Sequence, residues 1–166
     1  MTSSVLNMKV DIEHPQTGID DKHKIASNMA ACLADSYFLM VKTQGYHWNA
    51  VGPMFYSIHN LTEEHYTNLF EAIDDLAERM RALGYPAPTS ITEMVSATVL
   101  QEDVDNSTTE AMVDNLARDH EICATRFREC VERAEAVKDV VTADMLTERI
   151  AFHEKAVWML RATLTQ

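Results

Sequence analysis

Turn residues are scarce in this chain, with four glycines and four prolines in 166 residues. A hairpin-rich β fold needs such residues at every reversal, so that class is excluded. Cysteine is also scarce and odd in number. Cys32, Cys123 and Cys130 form no C-x-x-C, and no basic-then-apolar leader precedes them. They read as reduced core thiols of a cytoplasmic protein. Long apolar runs are missing too. The most apolar stretch, 25–45, is interrupted by Asn28, Asp35 and Lys42 and fits a buried helix rather than a membrane span. Cations are few, 14 Lys and Arg against 26 Asp and Glu, for a net charge of -12. That balance argues against a general nucleic-acid surface, which runs on clustered Lys and Arg. It suits a protein that concentrates metal cations, and it equally suits solubility.

What is present is helical periodicity. An apolar fraction of 46% with 24% charged residues is too apolar for a disordered chain, and the length fits one core. Residues 1–19 show no sustained period and form an N-terminal arm, while residues 20–166 form the domain. Ile25, Met29, Cys32, Ser36, Met40, Thr43 and His47 step by three and four, giving a first helix that ends near Asn49. Phe55, Ile58, Thr62, Tyr66, Leu69, Ile73, Leu76, Met80 and Leu83 give a second, closed by Gly84 with Pro86 and Pro88 beyond. The long connection that follows should hold a short helix over 91–97. Ser107 to Glu110 reads as a capping box opening a third long helix through Met112, Leu116, Cys123, Phe127, Cys130, Ala134 and Val137. Thr142-Ala143-Asp144 opens a fourth, through Leu146, Ile150, His153, Val157, Leu160 and Leu164. Four long amphipathic helices with a long middle connection make an all-α four-helix bundle of the crossover kind.

The chemistry concentrates at the end of the first helix and along the second. His47 ends the first, and His59, Glu63, Asp74 and Glu78 lie on the second. At 100° per residue, the three acids sit about 40°, 60° and 100° round from His59, beside the core stripe. Imidazoles with carboxylates suit iron, manganese or zinc. His59 and Asp74 are 15 residues apart, roughly 22 Å along a helix, which no single metal centre spans. Either the residues form two unrelated clusters, or one site takes its halves from two chains. A two-fold axis near Asn68 or Leu69 would set His59 and Glu63 of one chain against Asp74 and Glu78 of the next, and would do so twice. The intrasubunit di-iron alternative needs Glu three residues before a His. No histidine here has one; only Asp11 and Asp20 are acids at that offset, before His14 and His23 in the arm or first turn.

His47-Trp48-Asn49, His59 twelve on, and Asp74 and Glu78 within Ile73-Asp74-Asp75-Leu76-Ala77-Glu78-Arg79 resemble the ferroxidase signature of the Dps family of mini-ferritins. The resemblance covers roughly residues 22–164. It implies a ferritin-like bundle assembled from two-fold dimers into a hollow twelve-subunit shell. Ferroxidase centres at the two-fold interfaces would oxidise ferrous iron with hydrogen peroxide or dioxygen. Ferric mineral would be stored inside, protecting against oxidative damage. By position, His47 and His59 would be ligands from one subunit and Asp74 and Glu78 from its partner, with Glu78 placed to bridge two irons. Glu63 matches an acid near the second, weaker iron, and zinc is a possible substitute metal. Asp75 competes with Asp74, but it lies three from Glu78 and points away from the His59 side. Trp48 reads equally as a sacrificial electron donor or as an interface aromatic.

The remaining histidines have plainer readings: His120 and His153 as hydrogen-bonded core or interface residues, His65 as a surface residue. In the family, basic tails often carry DNA binding. Here residues 1–24 offer Lys9, Lys22 and Lys24 against Asp11, Glu13, Asp20 and Asp21, so DNA binding is expected to be weak or absent. Asp139 and Asp144 are the candidates for an iron-entry pore. The competing functions are a nucleoid-compacting DNA binder, and a metallohydrolase or zinc-bound shell using the same ligands.

Overall fold

A computed structural model describes residues 13–102 and 108–165. Five helices follow in order: α1 (Lys22–Asn49), α2 (Phe55–Ala82), α3 (Ile91–Ala97), α4 (Thr109–Ala136) and α5 (Val140–Leu164). No strand occurs among the described residues. The four long helices form the all-α bundle that the periodicity predicts, with the short helix lying in the connection between α2 and α4.

Local chemistry sets most of the boundaries. The chain leaves α1 in extended backbone at Ala50, and Gly52 turns it with φ 89°. α2 stops before Gly84, whose φ of 97° is left-handed and favours glycine. A Cβ there would also meet the His14 ring at 3.4 Å, so the described part of the arm packs against this turn. α4 is capped by Thr108, whose side chain accepts from the Ala111 amide at 3.1 Å. The cap therefore lies one residue beyond the Ser107 of the expected box, and Ser107 itself lies outside the described residues.

α5 begins at Val140, earlier than Thr142-Ala143-Asp144 suggests. The reason is Asp139, whose carboxylate accepts from the Thr142 amide at 3.0 Å and caps the helix. Arg79 of α2 donates to the same carboxylate at 2.7 Å and to Thr142 Oγ1 at 3.0 Å. Asp139 is buried and committed inside its own chain, which removes it from the pore candidates. Asp144 is exposed.

α1 pairs with α2 and α5 with α4, while α3 lies across α1. The buried Asp35 pins that crossover. It accepts from Thr98 Oγ1 at 2.7 Å, the Val99 amide at 3.0 Å and Arg126 Nη1 at 2.9 Å. The core runs the length of the bundle through Met29, Leu33, Leu39, Ile58, Leu69, Leu76, Leu116, Phe127 and Leu146. Cys32, Cys123 and Cys130 are free thiols within it.

Along α2 the apolar stripe is rotated from the predicted one. Ile58, Leu61, Thr62, His65, Leu69, Ala72, Leu76 and Met80 are buried, whereas Phe55 is exposed and Tyr66 and Ile73 are only half-buried. His65, expected at the surface, is therefore a core residue. It lies four positions before Leu69 and so shares its face. The turn that takes His65 away from His59 carries it towards the core, not towards solvent.

Candidate functional site

His47 is buried in the last turn of α1, and His59 is half-buried in the second turn of α2. The two rings stack with centroids 3.8 Å apart and planes 18° from parallel. Each imidazole reaches the backbone of the other residue. His47 Nδ1 lies 2.9 Å from the carbonyl oxygen of His59, and His59 Nδ1 lies 3.0 Å from that of His47. A carbonyl oxygen only accepts, so both Nδ1 atoms donate a proton, and in the neutral imidazole Nε2 is then the atom with the lone pair. A metal-ligating histidine needs this arrangement, with one nitrogen tied down and the other available. Thr62 Oγ1 is 3.4 Å from His47 Nδ1 and donates to the Ile58 carbonyl at 2.6 Å, supporting the pair from below. Tyr66 meets the His47 ring edge-on at 5.2 Å, and Phe55 covers His59 at 5.1 Å.

The carboxylates lie farther along the same helix. Glu63, Asp74 and Glu78 are all exposed on α2. Asp75 is exposed too and lines a shallow hollow with Asp144 and Glu148 of α5, away from the histidine pair. Among the described residues, no three His, Cys, Asp or Glu side chains of one chain come together as a metal cage. Within the subunit the structure brings His47 and His59 together and leaves Asp74 and Glu78 at the far end of the rod. The environment of the histidines is apolar and open, since Trp48, at 69% exposure, Val51, Phe55 and Tyr56 face outward around them. An exposed aromatic cluster of this kind has the composition of an interface.

A second polar centre, unforeseen as a unit, lies inside the bundle. His65 of α2, His120 of α4 and His153 of α5 are buried together. His120 Nδ1 and His153 Nδ1 share a hydrogen bond of 2.8 Å, and the His65 and His120 rings are 5.3 Å apart. Burial lowers the His65 pKa to about 4, with Lys155 adding to the effect. Burial, with Arg149 and His65 behind it, lowers that of His153 to about 3. His120 is lowered by burial and by its neighbours His153, His65 and Arg149. All three are neutral at pH 7. Burial also lowers Arg149 to about 10; its guanidinium sits over the Phe152 ring at 4.4 Å and donates to Asn68 at 2.7 Å. The core reading of His120 and His153 holds. The helical phase of Leu69 was the signal that could have added His65.

Comparison with known proteins agrees with this architecture. The ferritin-like domain matches residues 28–166. DNA protection during starvation protein 2 of Bacillus anthracis is 34% identical over 134 residues, covering 81% of this chain and 92% of that protein. A low temperature-induced protein of a Nostoc species is 46% identical over 132 residues, 78% of this chain and 74% of its own length. The crystal structure of the Dps protein of Vibrio cholerae, described as a ferritin-like diiron-carboxylate protein, superposes with a TM-score of 0.85. It is 30% identical and covers 94% of this chain and 99% of that one. The fold, the histidine pair and these relatives lead to one conclusion: the chain belongs to the Dps family of ferritin-like proteins.

Proposed function

We propose that this protein is a ferroxidase and iron store whose catalytic centres are completed between subunits. The observation that carries the reading is the reciprocal tie between His47 and His59. It fixes both imidazoles with Nδ1 protonated and leaves Nε2 for a cation on an open, aromatic-rimmed surface. Ferrous iron, the substrate, would be held by His47 and His59 of one subunit with Asp74 and Glu78 of its partner. Glu63 would supply an acid near a second, weaker iron position.

The donor set suits the chemistry. Carboxylates favour ferric over ferrous iron, and a small number of imidazoles leaves positions open to the oxidant. Two ferrous ions each give one electron, so one hydrogen peroxide takes up two electrons and two protons and leaves as two waters. No hydroxyl radical is released by that route. Few protein ligands also mean weak holding, which suits a site that passes iron onward. Trp48, exposed beside His47, would stand at the interface as an apolar contact or as an electron donor.

The proposal extends to assembly. An apolar groove of about 770 Å³ between α1 and α3, lined by Tyr37, Phe38, Val41, Met94 and Val95, supports a second copy docking there. We infer a cytoplasmic twelve-subunit shell built from two-fold dimers. With -12 on every chain, it would bind DNA weakly or not at all near neutral pH. Among the described residues, no helix is long and apolar enough to cross a membrane.

Two measurements test the proposal. The intact assembly should weigh about 226 kDa, twelve times 18.8 kDa. Anaerobic titration with ferrous ion followed by peroxide should produce ferric absorbance in the wild type and little in the His59→Ala, Asp74→Ala double variant. Equal rates in the two proteins would overturn the site assignment.

A further inference from the structure

A ladder of polar contacts ties the antiparallel helices α1 and α4. Lys42 Nζ meets Asp119 Oδ2 at 2.6 Å, Arg126 Nη1 meets Asp35 Oδ2 at 2.9 Å, and Arg133 Nη1 meets Asn28 Oδ1 at 2.6 Å. Successive rungs are seven residues apart on both helices, so they follow a single seam. Cys32 and Cys130 fall on that seam between the second and third rungs. Cys32 lies three residues before Asp35, and Cys130 four residues after Arg126. Steps of three and four keep each thiol on the face that carries the rungs, so the two meet across the helix pair.

Both thiols are free, with residue exposures of 0% and 1%. Their titration reflects the contact. A hydrogen bond to Cys130, reinforced by burial, pushes the Cys32 thiol up. The same hydrogen bond, with the Arg133 and Arg126 guanidiniums behind it, pulls the Cys130 thiol down despite its burial. Arg126 and Arg133 lie four residues before and three after Cys130 on the same face, and this cationic flank marks Cys130 as the attacking sulfur and Cys32 as the resolving one. Cys123 has the opposite setting, raised by burial and by the charges of Asp35 and Asp119.

We propose that Cys32 and Cys130 form a peroxide-reactive dithiol that closes to a disulfide between α1 and α4. The Cys130 sulfur attacks one oxygen of hydrogen peroxide and breaks the O–O bond. Cys130 becomes a sulfenic acid, and the other oxygen leaves as water. The Cys32 sulfur then displaces the sulfenic hydroxyl, which leaves as a second water with the Cys32 proton. Two thiols lose two electrons in all, and one peroxide is reduced to two waters. The link would join the first and third long helices beside their ion-pair ladder.

The test uses the full chain, freed of iron with a chelator, so its outcome is independent of any ferroxidase activity. The folded protein is treated with hydrogen peroxide, denatured in an alkylating agent and mapped by mass spectrometry without reductant. The expected result is a loss of about 2 Da, a cross-linked peptide pair carrying Cys32 and Cys130, alkylation at Cys123 alone, and full reversal by dithiothreitol. Cys123→Ser should behave as the wild type. Cys32→Ser, or Cys32→Ala if the serine variant does not fold, should stop at oxygen adducts of about 16 Da or more on Cys130. The proposal is overturned by three alkylatable thiols after treatment, by a disulfide that includes Cys123, or by oxygen adducts on the wild type without the cross-link.

Discussion

Acid should loosen this bundle through the histidines in its core. His65 and His153 have folded pKa values of about 4 and about 3, against 6.5 when exposed. Both are lowered, so at mildly acidic pH the unfolded chain binds protons that the folded chain excludes. Their stabilising effect is complete above about pH 6.5 and declines as pH falls towards the folded values. At pH 5 the loss is about 2 kcal/mol for each of the two, taking 1.36 kcal/mol per pKa unit. His120 shifts in the same direction and adds to it. The perturbation is His65→Leu or His153→Leu, an apolar side chain that does not titrate. Chemical denaturation at pH 7.5 and pH 5, at one protein concentration so that assembly is held constant, measures it. Surface carboxylates titrate alike in all the proteins and cancel. Each variant should lose about 2 kcal/mol less than the wild type between the two pH values, whatever its stability at pH 7.5. Variants with the wild-type pH dependence would refute the account of this cluster.

Further outcomes follow from other parts of the molecule. Arg79→Ala leaves the fully buried Asp139 carboxylate without its cation and should destabilise the fold by about 3–5 kcal/mol in urea melts. Phe127→Ala empties the centre of α4 and should cost a similar amount, about 3–5 kcal/mol. Single His59→Ala or Asp74→Ala substitutions should slow peroxide-driven iron oxidation by about 100-fold or more, since even outer-shell changes cost 10–100-fold. Helical content by circular dichroism should be retained in both. A gel shift at pH 7 should show no tight, salt-sensitive DNA complex; finding one would contradict the reading of the charge.

The helices were legible because local chemistry dictates their ends. Asn49 before Gly52-Pro53, Gly84 before Pro86, and the 91–97 segment all fall where the sequence places them. The openings of α4 and α5 were harder. Neighbouring Ser, Thr and Asp residues compete to cap, and for α5 the winner, Asp139, is selected by Arg79 from sixty residues away. His65 was misplaced because a two-sided helix has two boundaries between stripe and surface, and spacing from His59 alone does not tell which one is crossed. The α1–α4 ladder and the three-histidine core are long-range pairings with no local signal. The candidate metal site was legible as residue types on one face and as a distance too great for one chain. In the proposed arrangement a second subunit completes it, which the spacing within one chain suggests without fixing how the two chains meet.

Subunit mixing tests the central claim most directly. His59→Ala and Asp74→Ala chains, each inactive alone, would be unfolded together, refolded as a mixture and assayed for ferrous oxidation. If every centre joins one chain's histidine end to another's acidic end, each mixed dimer contains one centre carrying both substitutions and one carrying neither. Half of randomly formed dimers are mixed, so about a quarter of wild-type activity should return. No recovery in an assembly shown to contain both chains would mean that each centre is built within one subunit.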